Sequence, residues 1–545
     1  MDAAVARALQ MPDMTELVLG PLLRHVDERT ATVWVETDRP CEVEVLGATA
    51  RTFTVHGHHY ALVEIDGLEP GSQTPYQVRL DGEVVWPEPG DDRFPPSVIR
   101  TPDGGERLRL AFGSCRRSPD PRGVHGPDAL TAYAHRLADG GEPPTALLLI
   151  GDQVYADELG EEIVEFIHRR RGPDSEPRGE LADFAEYAHL YRLAWRTDPA
   201  VRWLLSTVPT YMIFDDHDVR DDWNTSHAWR EQMRSLPWWR RRIVGGLGSY
   251  WIYQHLGNLS PAERAADPLY AQVRDAGDRD AADLVDAFAE RADLRPDGTR
   301  WSYRRDLGAT RLIVADSRCA RLLTPERRAM LHDADMAWLG EQCRGDRDHL
   351  LIVSSLPYLL PRPIHHAENW NEAVSGGAWG RLGARFGERL RQAADLEHWA
   401  AFADSFRTVA AEVTAVARGE RGAAPASVAF LSGDVHYSYL ARVTAPDTAA
   451  PISQVVCSPL RNPLTGAFRW ANAVACTPGT AWMFRGLAAL AGVPRPPLRW
   501  RLTRGPWFDN MIATIEIDGR RAQVRWEAAV TEGRLEERSV AALSR

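Results

Sequence analysis

Six short apolar runs constrain the fold of this 545-residue chain more than any other feature in it. They read LRLAFGSC, ALLLIGD, TYMIFDDHD, RLIVADSR, LLIVSSLP and SVAFLSGDVH, and long stretches of helical periodicity separate them. Runs of this length without polar alternation read as strands buried on both faces, and their alternation with helices predicts an α/β layered core. Five of the six end in residues that can do chemistry. Loops at the carboxyl ends of such strands present side chains into a shared crevice, so residues distant in sequence are expected to meet there.

Before these runs, residues 16–101 have a different texture: ATVWVET, CEVEVLG, ALVEIDGLEPGS and YQVRLDGEVVWP alternate polar and apolar residues between turns. That spacing predicts an all-β sandwich of immunoglobulin or fibronectin type, with a boundary in RTPDGGERL and a larger domain over 107–530. Helices are expected over 127–139, 161–171, 181–206, 227–256, 261–294, 325–343 and 381–417. The stretch 229–300 interrupts the strands and reads as a helical insertion, either a lid or an outer layer. Its LPWWRRR segment is expected to be an ordinary helix terminus packed by Trp238 and Trp239.

Composition removes several functional classes. The formal charge of −12 argues against a broad nucleic-acid footprint, which needs a basic face, and favours a small anionic substrate met by local cations. All 64 basic residues are Arg, so a phosphate-loop Lys, a Schiff-base Lys and a Ser-Lys dyad are excluded together. No run approaches the roughly 20 apolar residues that span a bilayer. Residues 1–20 carry neither a signal peptide nor a twin-Arg pair, which makes the cytoplasm the default expectation. The six cysteines (Cys41, Cys115, Cys319, Cys343, Cys457 and Cys476) lack CxxC spacing and read mainly as small core residues.

The chemistry concentrates at three strand ends. In GDQVYAD, Asp152 sits where the chain leaves the sheet, Gly151 allows a close bend, and the Tyr155 phenol is a hard anionic ligand suited to ferric iron. FDDHDVRDDWN places five Asp and one His within Asp215 to Asp222. Carboxylates that dense after an apolar strand repel one another unless cations offset them, so metal binding explains them better than solvation does. Asp216 is the candidate ligand there and His217 the group nearest the substrate; Arg220 either clamps phosphate or offsets Asp215 and Asp218. In LSGDVHYSY, Asp434 and His436 are two apart, a spacing that in extended chain turns both side chains to one site.

GDxxY, then DDHD-V, then GDVH, in that order, resemble the PhoD-like branch of the calcineurin-type metallophosphoesterases. FGSC, which holds Cys115, is similar to that branch's opening motif, and ADSRCAR to its Asp-x-Arg strand, here Asp316 and Arg318. The resemblance covers nearly the whole chain. It implies a layered αββα metallophosphoesterase core behind a sandwich domain, and hydrolysis of phosphate esters by a metal-activated hydroxide. It also implies that Cys115, Asp152, Tyr155 and Asp434 hold Fe3+. Asp152 would bridge to a second, Ca2+-like metal helped by Asp216 and His436, with Zn2+, Mn2+ and Mg2+ as alternatives. His217 and Asp216 would be catalytic, with Arg220, Arg318 and His217 on the substrate phosphate.

One departure stands out. The wider superfamily takes a metal-binding His from a strand between the second and third motifs, yet here that run reads LIVSSLPYLL, and Ser354 and Ser355 are poor substitutes. His365 and His366, read as a loop pair, are the nearest histidines after it. Two rivals have their own requirements. A Cys-nucleophile phosphatase needs an Arg six positions after Cys115, where Pro121 stands. A metal-containing binding or scaffold protein needs no open carboxylates.

Overall fold

The computed structural model describes residues 14–105, 107–119, 122–444, 447–464, 466 and 478–545. Cys476, Pro121 and the first thirteen residues, on which part of the export-signal reading rests, lie outside them. All six apolar runs form strands: Arg107–Gly113, Ala146–Ile150, Thr210–Ile213, Thr310–Ala315, His349–Ser354 and Ser427–Ser432.

These strands divide between two sheets. In a six-stranded sheet, Arg107–Gly113 pairs in parallel with Ala146–Ile150, which pairs in parallel with Thr210–Ile213; the antiparallel strands Met511–Asp518, Arg521–Thr531 and Arg534–Ala542 extend the other edge. In a seven-stranded sheet, Thr310–Ala315, His349–Ser354, Ser427–Ser432 and Ile452–Val456 run parallel to one another. Side chains alternate across a strand, and the cores follow that period. Leu312, Val314, Leu351, Val353, Ala429 and Leu431 share a core with the six-stranded sheet. Their neighbours Ile313, Leu350, Ile352, Val428 and Phe430 pack instead with Leu339, Phe406, Val409 and Val413 of the helices Asp333–Gln342 and Ala403–Arg418. The sheets thus lie face to face with helices outside.

Strands between Leu17 and Arg100 form the sandwich, with four-stranded sheets closing on Leu23, Val33, Val35, Val43, Val63 and Leu80. The insertion packs into the body of the molecule. Its helix Trp239–Tyr250 continues into a π-helical turn, Trp251–His255, between the sandwich and the six-stranded sheet. The buried Arg24 guanidinium donates to the carbonyls of Tyr253, Gln254 and Thr210, joining all three units. Trp238 and Trp239 do lie at a helix start, with Trp239 edge-on to Trp229.

Several expected helices are divided. The 181–206 stretch breaks at Asp198, whose carboxylate caps Pro199–Thr207, and the 261–294 stretch breaks where Asp267 caps Pro268–Asp275. The 325–343 helix begins only at Asp333. The 381–417 stretch is two helices, Gly380–Ala393 and Ala403–Arg418, with an irregular segment between them. His365 and His366 lie in a helix, Arg362–Ser375, rather than a loop. Among the described residues, no helix is long and apolar enough to cross a membrane.

Candidate metal centre

The carboxyl ends of the parallel strands in both sheets open toward one place, and the chain leaves them by sharp turns. Ten described non-glycine residues have positive φ, and seven lie in the segments that meet there: Cys115, Asp152, Asp222, Asn224, Asp395, Asp434 and His436. Each costs on the order of 1 kcal/mol, so the surroundings must hold them. Close approach does much of that. A Cβ on Gly151 would lie 2.6 Å from Cβ of Asp215, and one on Gly433 would overlap the Ser114 side chain.

Cys115 is buried, and its N–H donates to the Gly151 carbonyl at 3.2 Å while the Arg116 N–H donates to that of Asp152 at 3.1 Å. Its sulfur accepts from the Ser458 hydroxyl at 3.3 Å. Ligand atoms of Cys115, Asp152 and His436 all lie within 4.8 Å of one another, as do those of Asp152, Asp215 and Asp216, and those of Asp216, His217 and Asp221. Asp152 is therefore common to two of the groups. The Tyr155 hydroxyl is 3.4 Å from Asp152 Oδ2 and accepts from Asn462 Nδ2 at 3.0 Å.

Asp434 and His436 part company. The strand ends at Ser432, and both residues adopt left-handed backbone (φ 66° and 56°), so the alternation of an extended segment does not apply. His436 turns toward Cys115 and Asp152. The Asp434 carboxylate meets His398 Nε2 at 2.9 Å and Arg318 Nη2 at 3.5 Å.

Arg318 has no exposed surface, and its guanidinium pairs with Asp215, Asp216, Glu397 and Asp434. It lies among the carboxylates as a buried counter-charge. Arg220 neither offsets Asp215 and Asp218 nor points at the cluster; it reaches Glu180 at 3.2 Å and lies over Trp238. Asp316 is a turn device: its carboxylate accepts the N–H groups of Arg318, Cys319 and Ala320.

Burial dominates the electrostatics. It pushes the Cys115 thiol and the Asp152 and Asp215 carboxyls well above their ordinary ranges, aided at Cys115 by Asp152 and Asp434, and it pushes His436 down to about 4. His217 goes the other way. Burial opposes its charge, but Asp157, 2.9 Å from Nδ1, together with Asp216 and Asp152 raises it well above the usual range.

Sequence reasoning missed two residues. Asp218 is the knot between the first two motifs, accepting their backbone N–H groups, and burial raises it to about 7. His398 reaches the site from the irregular segment after Ala393. Ser355, just after the strand that lacks the expected His, lies close to Gly151 and hydrogen-bonds Ser317 at 2.8 Å. His365 packs instead against Phe406 and Trp500.

The family model of the PhoD-like phosphatases matches residues 110–471, and that of a domain of unknown function (DUF7800) matches residues 14–99. No curated protein matches the chain. A solved structure of PhoD is similar over 98% of this chain and 92% of its own, with a TM-score of 0.59 at 12% identity, a likeness of fold. The purple acid phosphatase PPD1 from yellow lupin (Lupinus luteus) seeds covers 96% of this chain and 74% of its own at 10% identity, with a TM-score of 0.49. With the family match running from the strand that leads into Cys115 to beyond Asn462, over more than half its length, this chain belongs to the PhoD-like phosphatase family.

Proposed function

We propose that the strand-end cluster is a two-metal centre at which this protein hydrolyses phosphate esters. One observation carries the reading: Asp152 Oδ1 and Asp215 Oδ2 are buried without a hydrogen-bond partner, beside Cys115, His436 and Asp216. Buried carboxylate oxygens left unpaired are costly, and a bound cation removes the cost. The donors fit such ions. A thiolate, a phenolate, a carboxylate and an imidazole from Cys115, Tyr155, Asp152 and His436 suit ferric iron, and the carboxylates of Asp152, Asp216 and Asp434 suit a harder, calcium-like partner. This assignment exchanges His436 for Asp434 at the iron, following their geometry. The facing sheets with outer helices support an αββα metallophosphoesterase core in a domain over 107–530, behind a sandwich domain over 16–101.

Bound there, the metals supply water activation and positive charge for the phosphoryl group. The chain supplies the rest. His217, held by Asp157, keeps a proton and offers Nε2 to the leaving oxygen. Arg318 balances the carboxylates from beneath. Beside Tyr155, a cleft of about 360 Å³ lined by Arg117, Arg122, His125 and Glu158 receives the organic group of the ester. A Cys115 nucleophile is disfavoured, because its sulfur is fully buried beside Asp152 and His436, in the position of a metal ligand.

The test is hydrolysis of p-nitrophenyl phosphate and bis(p-nitrophenyl) phosphate by metal-loaded protein. Turnover of either, abolished in Asp152→Ala, supports the reading. Inertness toward both at full metal content favours a scaffold protein.

A further inference from the structure

Exposed apolar side chains gather in one part of this molecule. Of the eleven large ones among the described residues, six are Trp379, Leu382, Phe386, Trp482, Met483 and Leu490. Leu382 is 81% exposed and Trp482 is 83% exposed, so these are full side chains in water rather than edges of a core. They belong to the helices Gly380–Ala393, with Trp379 just before it, and Pro478–Leu490. Both helices pack on a third, Arg362–Ser375, through Trp370, Val374, Leu390, Leu487 and Ala488. Contiguous apolar surface on a folded chain marks a place where something binds.

The helix Gly380–Ala393 shows what kind of surface it is. It buries Gly387 and Arg391 and leaves two rows outside. Residues four apart share a face, so Arg381, Arg385 and Arg389 form one exposed row, and Leu382 and Phe386 form the row beside it. None of these three Arg has a hydrogen bond or an ion pair among the described residues. The helix's one carboxylate, Glu388, is engaged elsewhere: it accepts from Arg391 Nη1 at 2.6 Å, from Gln392 Nε2 at 2.9 Å and from the Ser226 hydroxyl.

The charge of the surrounding sequence is also one-sided. In a chain of net charge −12, residues 373–387 contain no Asp or Glu, and residues 478–508 contain none beside Arg485, Arg495, Arg499, Arg501 and Arg504. A second copy docked by twofold symmetry would set this cationic patch against itself. An anionic surface would satisfy it. Unpaired Arg beside exposed Trp, Phe and Leu is the composition of helices that lie in a membrane interface, where the apolar row enters the acyl boundary and the Arg heads stay with lipid phosphates.

We infer that the helix Gly380–Ala393 and its neighbour Pro478–Leu490 form a docking surface for a bilayer that carries anionic lipid. The contact is peripheral, with no segment crossing the membrane, and it stands independently of the metal reading.

Vesicle flotation tests it with the full-length protein. Large unilamellar vesicles of phosphatidylglycerol and phosphatidylcholine in equal parts are compared with vesicles of phosphatidylcholine alone, over graded lipid concentration and with circular dichroism as the check on folding. Wild type is expected to float with the anionic vesicles, less so as salt rises, and to stay behind with the neutral ones. Arg381→Gln/Arg385→Gln/Arg389→Gln is expected to bind the anionic vesicles roughly 100-fold more weakly, and Leu382→Ser/Phe386→Ser at least about tenfold more weakly. Should the triple variant misfold, Arg385→Gln/Arg389→Gln decides, with an expected loss of roughly 30-fold. No flotation of wild type with anionic vesicles, or flotation unchanged in these variants, would overturn the assignment. A wild-type dimer in sedimentation equilibrium that Leu382→Ser/Phe386→Ser dissolves would overturn it in favour of a second copy.

Discussion

Asp218 Oδ2 accepts the backbone N–H of Asp152 at 2.9 Å, and the same oxygen accepts that of Asp215 at 2.9 Å. One buried carboxylate therefore fixes the turns of two motifs more than sixty residues apart, while its other oxygen accepts from Gln254 of the insertion at 3.1 Å. Asp218→Ala orphans two buried N–H groups at about 1–3 kcal/mol each. Urea unfolding should show that loss together with weaker metal retention. Normal stability with normal metal content would show that the turns hold themselves.

Arg318 balances four carboxylates with no exposure to solvent. Removing the cation from such a group leaves buried charges uncompensated, at about 3–5 kcal/mol. Arg318→Met is expected to lower the free energy of unfolding by that amount, read from urea unfolding. A raised KM at wild-type stability would instead give Arg318 a direct part in phosphate binding.

On the proposed iron assignment, Tyr155 and Cys115 would colour the protein. With ferric iron beside a phenolate and a thiolate, the purified protein should absorb in the visible, and Tyr155→Phe should diminish the band. Colourless, active wild type containing zinc or magnesium would remove iron from the account and leave the hydrolysis in place.

His255 is buried edge-on to Trp301, and burial lowers it from 6.5 to about 3. Its folded pKa lies below its unfolded one, so the unfolded chain binds the extra proton between those values. The native state accordingly loses stability as pH falls from 6.5 toward 3, by up to about 1.4 kcal/mol per pH unit. His255→Phe should therefore gain stability relative to wild type on acidification across that window, measured by unfolding at pH 7.5 and 5. A difference that is constant with pH would contradict the burial argument.

The strands and their chemical ends were legible because buried apolar runs and the residues that follow them carry a local signal. Asp152 and Asp216 lie in the shared clusters for that reason. The geometry of Asp434 and His436 was not legible, since left-handed φ at a non-glycine residue leaves no mark in composition. His398 was hidden for a related reason. AADLEHWAAFADS contains neither Gly nor Pro, so nothing broke the helical pattern that covers it, and the break comes from the tertiary pull of Arg318 and Arg321 on Glu397. The breaks at Asp198-Pro199 and Asp267-Pro268, by contrast, carry the ordinary signature of a capped helix start.

The central claim is that buried carboxylates with unpaired oxygens hold catalytic metals. It is tested most directly by stripping the protein with chelator, confirming metal loss by mass spectrometry, and following p-nitrophenyl ester hydrolysis as metals are restored. The account predicts activity that disappears with the metals and returns with them. Undiminished hydrolysis by metal-free protein would contradict it.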